Sequence, residues 1–182
     1  MLLVVAGPSG VGKGTIVQEL VRRRPSFWIS VSAATRPPRH NEVDGIDYHF
    51  ISREQFERDR DEGKFLEWFE VFGDLKGTPR EPLEAHLAAG DDVLLELDVK
   101  GALAIRKQMP EAVLVFVKPP SRDEQRRRLE ARGTDTPEAI ERRLDGAEAE
   151  EAVAAASFDA IIVNDDVGTA VDQLTAILET RR

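Results

Sequence analysis

Gly7-Pro8-Ser9-Gly10-Val11-Gly12-Lys13-Gly14-Thr15 follows the apolar run Leu2-Leu3-Val4-Val5-Ala6 and leads into the helix-like Ile16-Val17-Gln18-Glu19-Leu20-Val21. The order is strand, glycine-rich turn, helix. Glycines let the backbone curl so that successive N–H groups point inward, the helix behind adds the positive end of its dipole, and Lys13 adds a full charge. Such a pocket takes a di- or triphosphate. Gly7, Gly12 and Lys13 match G-x-x-x-x-G-K-[S/T], but Gly14 occupies the hydroxyl position and Thr15 comes one residue late. With that hydroxyl gone, Mg²⁺ is left mainly to nucleotide oxygens and water, and Thr15 to phosphate.

The 182 residues suffice for one domain with a sizeable core, and 41% hydrophobic with 32% charged residues is the balance of a soluble globular chain. No apolar run reaches membrane-spanning length. The absence of cysteine excludes disulfides, thiolate metal sites and a cysteine nucleophile. A net charge of −9 argues against broad nucleic-acid or acidic-membrane binding, so an anionic substrate must be held locally. Basic residues do gather at Arg36–Arg39 and from Arg122 to Arg143. With no basic leader before the first strand, a cytoplasmic setting is expected.

Outward from the turn, Phe27–Val31 reads as a short strand, and residues 32–48, rich in proline and charge, as an ordered functional loop or linker. Ser52-Arg53-Glu54-Gln55 has the spacing of a capping box, which predicts a helix from about Arg53 to Glu62 that stops at Gly63. Phe65–Phe72 reads as β structure, with turns at Gly73-Asp74 and Gly77. A helix over Glu81–Ala89 precedes the strand Val93–Asp98, which leaves a carboxylate at its exit in a Walker-B-like arrangement. A helix over Gly101–Met109 and the strand Ala112–Val117 follow. Ser121 and Thr136-Pro137 start two charged helices joined by Arg132-Gly133-Thr134-Asp135, a pair expected to form a solvated flap. Asp159–Val163 gives a last strand and Val167–Thr180 a closing helix. Five apolar strands alternating with helices imply a doubly wound parallel α/β sheet, with ligands at the carboxyl ends of its strands.

The phosphate loop together with Ser32–Tyr48 in the form S-x-x-T-R-x-P-R-x-x-E-x-x-G-x-D-Y, Phe65-Leu66-Glu67-Trp68, Glu96-Leu97-Asp98, Arg132-Gly133-Thr134 and Val163-Asn164-Asp165-Asp166 closely resembles guanylate kinase. The resemblance covers almost the whole chain, and the 32–48 signature is specific where a phosphate loop alone names only a superfamily. It implies a P-loop NTPase-type fold and transfer of the ATP γ-phosphate to GMP or dGMP with Mg²⁺. It also implies a core (1–32, 81–119, 148–182), a GMP-binding α+β insert (33–80) and a helical lid (120–147). By motif position, Gly7, Pro8, Ser9, Gly10, Val11, Gly12, Lys13, Gly14 and Thr15 hold ATP phosphates, and Asn164 lies at the adenine. Ser32, Glu67 and Asp98 form the guanine-reading set. Arg36, Arg39 and Tyr48 clamp the GMP phosphate, with Glu42 bracing the arginines and Thr78 on the same side. Arg132 and Arg143 are the lid residues that reach the transferring phosphates; with Lys13 and Arg39 they form the catalytic set.

The residues make chemical sense of these roles. Phosphoryl transfer needs alignment of donor and acceptor and neutralisation of spread charge, which suits guanidinium forks. Guanine offers two adjacent donors, N1–H and the 2-amino group, that one carboxylate such as Glu67 can accept, whereas adenine offers an acceptor at N1. Asp98 can serve the guanine amino group or a Mg²⁺-bound water, and Glu96 is a competing acid. Lys76 stands where many relatives have a tyrosine that contacts the GMP phosphate; its ammonium either replaces that phenol hydrogen bond, the expectation taken here, or points to solvent. Arg126, Arg127 and Arg128 read as helix-surface charges, and His40, His49 and His86 form neither a metal site nor a triad. Trp28, Trp68 and the phenylalanines read as core. Two other functions fit parts of the pattern: an inactive guanylate-kinase-like protein-interaction domain, and a kinase for a sugar phosphate or another nucleotide.

Overall fold

The computed structural model describes residues 1–40, 42–71, 73–133 and 135–181. Five parallel strands make the central sheet: β1 (Leu2–Ala6), β2 (Phe27–Ile29), and the strands that become β7 (Asp92–Leu97), β8 (Val113–Lys118) and β9 (Ala160–Val163), in the order β2-β7-β1-β8-β9. All of β1 is buried, as a central strand covered on both faces must be. On one face Leu3, Val5, Val115 and Val117 pack with α1 (Lys13–Arg23) and α7 (Val167–Glu179). On the other, Val4, Leu95 and Leu114 pack with Leu83 of α3 (Arg80–Ala88) and with Ala102 and Ile105 of α4 (Val99–Gln108).

The register positions the site. Ala6 of β1 lies opposite Leu97 of β7 and Phe116 of β8, so the turn after β1 and the carboxylate after β7 emerge side by side. Lys118 opposite Val163 brings Asn164 to the same edge.

A second sheet, β4 (His49–Phe50), β3 (Ala33–Ala34), β6 (Asp74–Pro79) and β5 (Phe65–Val71) in that order, stands over the carboxyl ends of the first. Its hydrophobic cluster of Ala33, Phe56, Phe65 and Leu75 is capped by α2 (Arg53–Asp61), with Phe56 stacked on Phe65 at 4.3 Å between ring centres. Ser52 caps α2 as its spacing predicts, accepting from the Gln55 N–H.

Three expectations change here. The 32–48 stretch contains a strand, because Ala33 and Ala34 are buried and pair with both β4 and β6. Gly77 is mid-strand and makes no turn: a Cβ there would lie 3.0 Å from the Glu67 carbonyl oxygen and 3.0 Å from the Phe65 ring. Trp68 is 42% exposed on the outer face of β5 with the Arg60 guanidinium over its ring, whereas Trp28, stacked on His86, packs against the core as expected. Phe72, expected at the end of β5, lies outside the described residues.

The two charged helices are α5 (Arg122–Arg132) and α6 (Pro137–Ser157), capped by Ser121 and Thr136. They are better anchored than a solvated flap. Leu129, Ile140 and Leu144 form a cluster between them, and Ala154 near the far end of α6 packs with Val99 and Phe116 of the core. The expected lid limit at residue 147 therefore falls inside one continuous helix. Among the described residues no helix is long and apolar enough to cross a membrane.

Candidate active site

One cleft of about 1070 Å³ runs between the two sheets and the α5–α6 pair. At its floor lies the phosphate loop. Gly7 has φ 151° and its Cβ position is 2.2 Å from the Val117 carbonyl oxygen, so only glycine fits where the loop crosses β8. Gly12 precedes α1 in the left-handed region, φ 85°, which turns the loop into the helix N-terminus. The Lys13 ammonium donates back to the carbonyls of Gly7, at 2.6 Å, and Pro8, at 3.1 Å. Burial lowers its pKa from the ordinary lysine value, opposed by Glu96, Glu150 and Asp98.

The opposite wall is built on β5 and β6. The register slips between Phe65 and Glu67, a bulge that changes the parity of the strand. Phe65 then packs under α2, while Glu67, Phe69 and Val71 face the cleft. Glu67 accepts from the Thr78 hydroxyl at 2.5 Å, and Thr78 is fully buried. Burial raises the Glu67 carboxyl to about 7, against the lowering effect of Thr78 and with a smaller upward push from Asp98. Asp98 caps α4 by accepting from the Gly101 N–H at 2.8 Å. A Cβ on Gly101 would come 3.4 Å from Asp98 Oδ1 and 3.5 Å from Glu67 Oε2, so both carboxylates border the same space.

Between these ends the cleft is cationic. Arg36 is locked by two hydrogen bonds to Glu42, at 2.6 and 2.7 Å, with its guanidinium 5.1 Å from the centre of the Tyr48 ring. Arg36 holds the Glu42 carboxyl down at about 2. Glu42 also accepts from the Arg39 backbone N–H, so one carboxylate shapes the whole loop. Arg39 of the insert and Arg132 at the end of α5 both line the cleft. Burial, then Arg132, then Arg36 pull the Arg39 pKa below its usual value, opposed by Glu42, which pairs with Arg39 at 3.7 Å. Arg143 of α6 donates to Ser9 Oγ of the phosphate loop at 3.2 Å and to Asp135 at 3.1 Å. Lys76 stands beside Tyr48, 3.4 Å from its hydroxyl.

The family model described as guanylate kinase matches residues 1–181. The chain belongs to the guanylate kinase family. A curated guanylate kinase of Thermobifida fusca is 51% identical over 177 residues, covering 97% of this chain and 90% of that one. The guanylate kinase of Symbiobacterium thermophilum is 52% identical over 179 residues, covering 98% and 84%. The crystal structure of guanylate kinase from Anaplasma phagocytophilum superposes with a TM-score of 0.81 at 35% identity, covering 99% of this chain and 85% of that one. A gluconokinase from Sinorhizobium meliloti, 17% identical with a TM-score of 0.56, shares the fold alone.

Most residues expected from guanylate kinase motifs line the cleft: Gly7, Pro8, Ser9, Gly10, Gly12, Lys13 and Gly14 on the floor, Ser32, Arg39, Glu42, Tyr48, Glu67, Lys76 and Asp98 around the far wall, and Arg132 and Arg143 above. Five do not. Val11 is a core residue, and Thr15 is exposed beside the loop. Arg36 and Thr78 stand behind Glu42 and Glu67 as braces. Asn164, expected at the adenine, is 3% exposed and donates to the Val11 carbonyl at 2.7 Å, which makes it a support of the loop. Arg128, expected at the helix surface, lines the cleft and donates to the carbonyls of Val11 and Asn164. Motif reading missed Arg142 and Glu150. The signal was helical spacing: Ala139, Arg142, Arg143, Gly146 and Glu150 form one stripe of α6 that faces the cleft. Among the described residues no group of three or more His, Cys, Asp or Glu is placed to hold a metal ion.

Proposed function

We propose that this protein holds ATP at the phosphate loop and GMP against Glu67, and transfers the γ-phosphate to give ADP and GDP. Membership of the guanylate kinase family supports that activity. The observation that carries it is one cleft with the glycine loop and Lys13 on its floor, the buried Glu67 on the opposite wall, and Arg39, Arg132 and Arg143 among its lining. Guanidinium groups lining one cleft suit the phosphates of two nucleotides.

In this reading the backbone N–H groups of Gly10–Gly14 and the N-terminus of α1 take the ATP phosphates, and Lys13 leaves the Gly7 and Pro8 carbonyls to join them. Glu67 accepts the two guanine donors, with Asp98 and Ser32 beside it. Tyr48, Arg39 and Lys76 hold the GMP phosphate. A GMP phosphate oxygen forms the new bond to the γ-phosphorus as the bond to the β-bridging oxygen breaks, and Arg132 and Arg143 neutralise the charge on the moving group. The attacking oxygen is already anionic, so no general base is needed.

Mg²⁺ suits this floor as an ion carried by ATP. Glu96 and Asp98 offer hard oxygen acceptors to its waters, and Glu96 Oε2 is 3.6 Å from the Cβ position of Gly14, where the usual hydroxyl is missing. When bound, the ion neutralises phosphate charge. The insert at 33–80 and the α5–α6 lid then close over both nucleotides and exclude water, in a cytoplasmic enzyme.

Release of ADP measured with GMP, dGMP, AMP and a ribose bisphosphate as acceptors tests this. GMP and dGMP are expected to work, with AMP poorer by about 10⁴-fold because its N1 lone pair leaves Glu67 unmatched. Preference for AMP or the sugar phosphate, or no acceptor-dependent ADP release, overturns the reading.

A further inference from the structure

Asp135 belongs to no motif used above, and its surroundings are unusual for a residue in a turn. It precedes Thr136, the cap of α6, and its side chain is only 11% exposed. One carboxylate oxygen accepts from Arg143 Nη2 at 3.1 Å; the other is buried with no hydrogen-bond partner among the described residues. A carboxylate is costly to bury in this way unless its position serves something. The Arg143 guanidinium that it holds reaches with its other nitrogen to Ser9 Oγ on the phosphate loop.

We infer that Asp135 is a positioning residue for phosphoryl transfer: it fixes the Arg143 guanidinium on the lid so that the fork is already aimed at the ATP phosphates when the lid closes. The inference rests on the phosphate-reaching role of Arg143 given under Proposed function. Asp135 stands just before Thr136, the cap of α6, Arg143 lies about two turns into that helix, and Pro137 stiffens the backbone between them. The pair therefore travels as one body with the lid, and closure need not reorient the arginine. Such preorganisation acts on kcat, since the aim of the group matters only when charge moves.

The test is a double-mutant cycle on the full chain, with Asp135→Asn, Arg143→Ala and the double variant, plus Asp135→Glu. Asp135→Asn is expected to lower kcat about tenfold with the KM for GMP unchanged. In the Arg143→Ala background the same change is expected to cost nothing further. Asp135→Glu is expected to restore most of kcat, because a cavity of about 220 Å³ lined by Asp135, Arg126, Glu130, Pro137 and Ile140 has room for the added methylene. Equal losses from Asp135→Asn in both backgrounds overturn the inference while leaving the role of Arg143 intact. An undiminished kcat in Arg143→Ala removes that role, and the inference with it.

Discussion

The Thr78 hydroxyl donates to Glu67 Oε1 across the β5–β6 pair, a buried contact that satisfies one oxygen of the carboxylate the bulge turns toward the cleft. Burial is the larger effect, so the Glu67 carboxyl is pushed up to about 7. Its folded value lies above its unfolded one. The stability this proton contributes is complete below about 4.5 and is lost as pH rises through about 7. Guanine binding needs the ionised form. The kcat/KM for GMP at saturating ATP is therefore expected to rise with pH up to about 7 and then level off. Glu67→Gln should flatten that limb and lower kcat/KM about 100-fold, the loss of charge-assisted bonds to two donors. A pH profile of the variant that keeps the limb counts against this assignment.

Thr78→Val removes the hydroxyl with little change of volume. The Glu67 pKa is expected to move further up, since Thr78 opposes the effect of burial, and the limb in kcat/KM should shift to higher pH. The KM for GMP should increase about tenfold at neutral pH. Steady-state kinetics of both proteins across the same pH range checks the direction; a downward shift contradicts it.

Glu42 is expected to matter through the two arginines that it holds. Glu42→Ala leaves the Arg36 guanidinium without the carboxylate that accepts two of its N–H groups, and it frees the Arg39 backbone. A destabilisation of about 2 kcal/mol in urea unfolding and a KM for GMP raised about tenfold are expected. In the parent protein the Glu42 carboxyl is depressed to about 2, so its contribution is present above about 4.5 and is lost as pH falls through about 2. Wild-type stability in the variant would show that the loop keeps its shape by other means.

Arg132 gives the opposite pattern. It is exposed, and its charge is among the causes that lower the Arg39 pKa. Arg132→Ala should lower kcat by about 10³-fold, as removal of a transition-state arginine does. Its Tm should stay level or rise slightly, because an exposed cation that adds to the positive charge around Arg39 is removed. Thermal melts beside initial rates make the comparison, and a fall in Tm matched by an equal fall in activity would assign Arg132 a structural role instead.

Lys76→Ala separates two roles for the ammonium beside Tyr48. A grip on the GMP phosphate predicts a KM for GMP raised about tenfold and made less sensitive to salt. An unchanged KM means that Lys76 serves only to hold the Tyr48 ring.

Much of this protein was legible in the order of its residues. The strand, glycine turn and lysine at residues 2–15 specify a phosphate site because backbone geometry and one charge suffice to make it, and the five apolar runs specify a parallel sheet because both faces must be covered. The caps at Ser52, Ser121 and Thr136 lie where local hydrogen bonding places them. Side-chain direction was a different matter. Nothing local announces the bulge at Phe65–Glu67 that turns Glu67 toward the cleft, or that Asn164 and Arg128 would both donate to the Val11 carbonyl of the phosphate loop. Nor does local sequence reveal that α6 would run unbroken from lid to core with Arg142 and Glu150 on its cleft face. Those outcomes depend on contacts between residues far apart in the chain, and packing selects among faces that local propensity leaves equal.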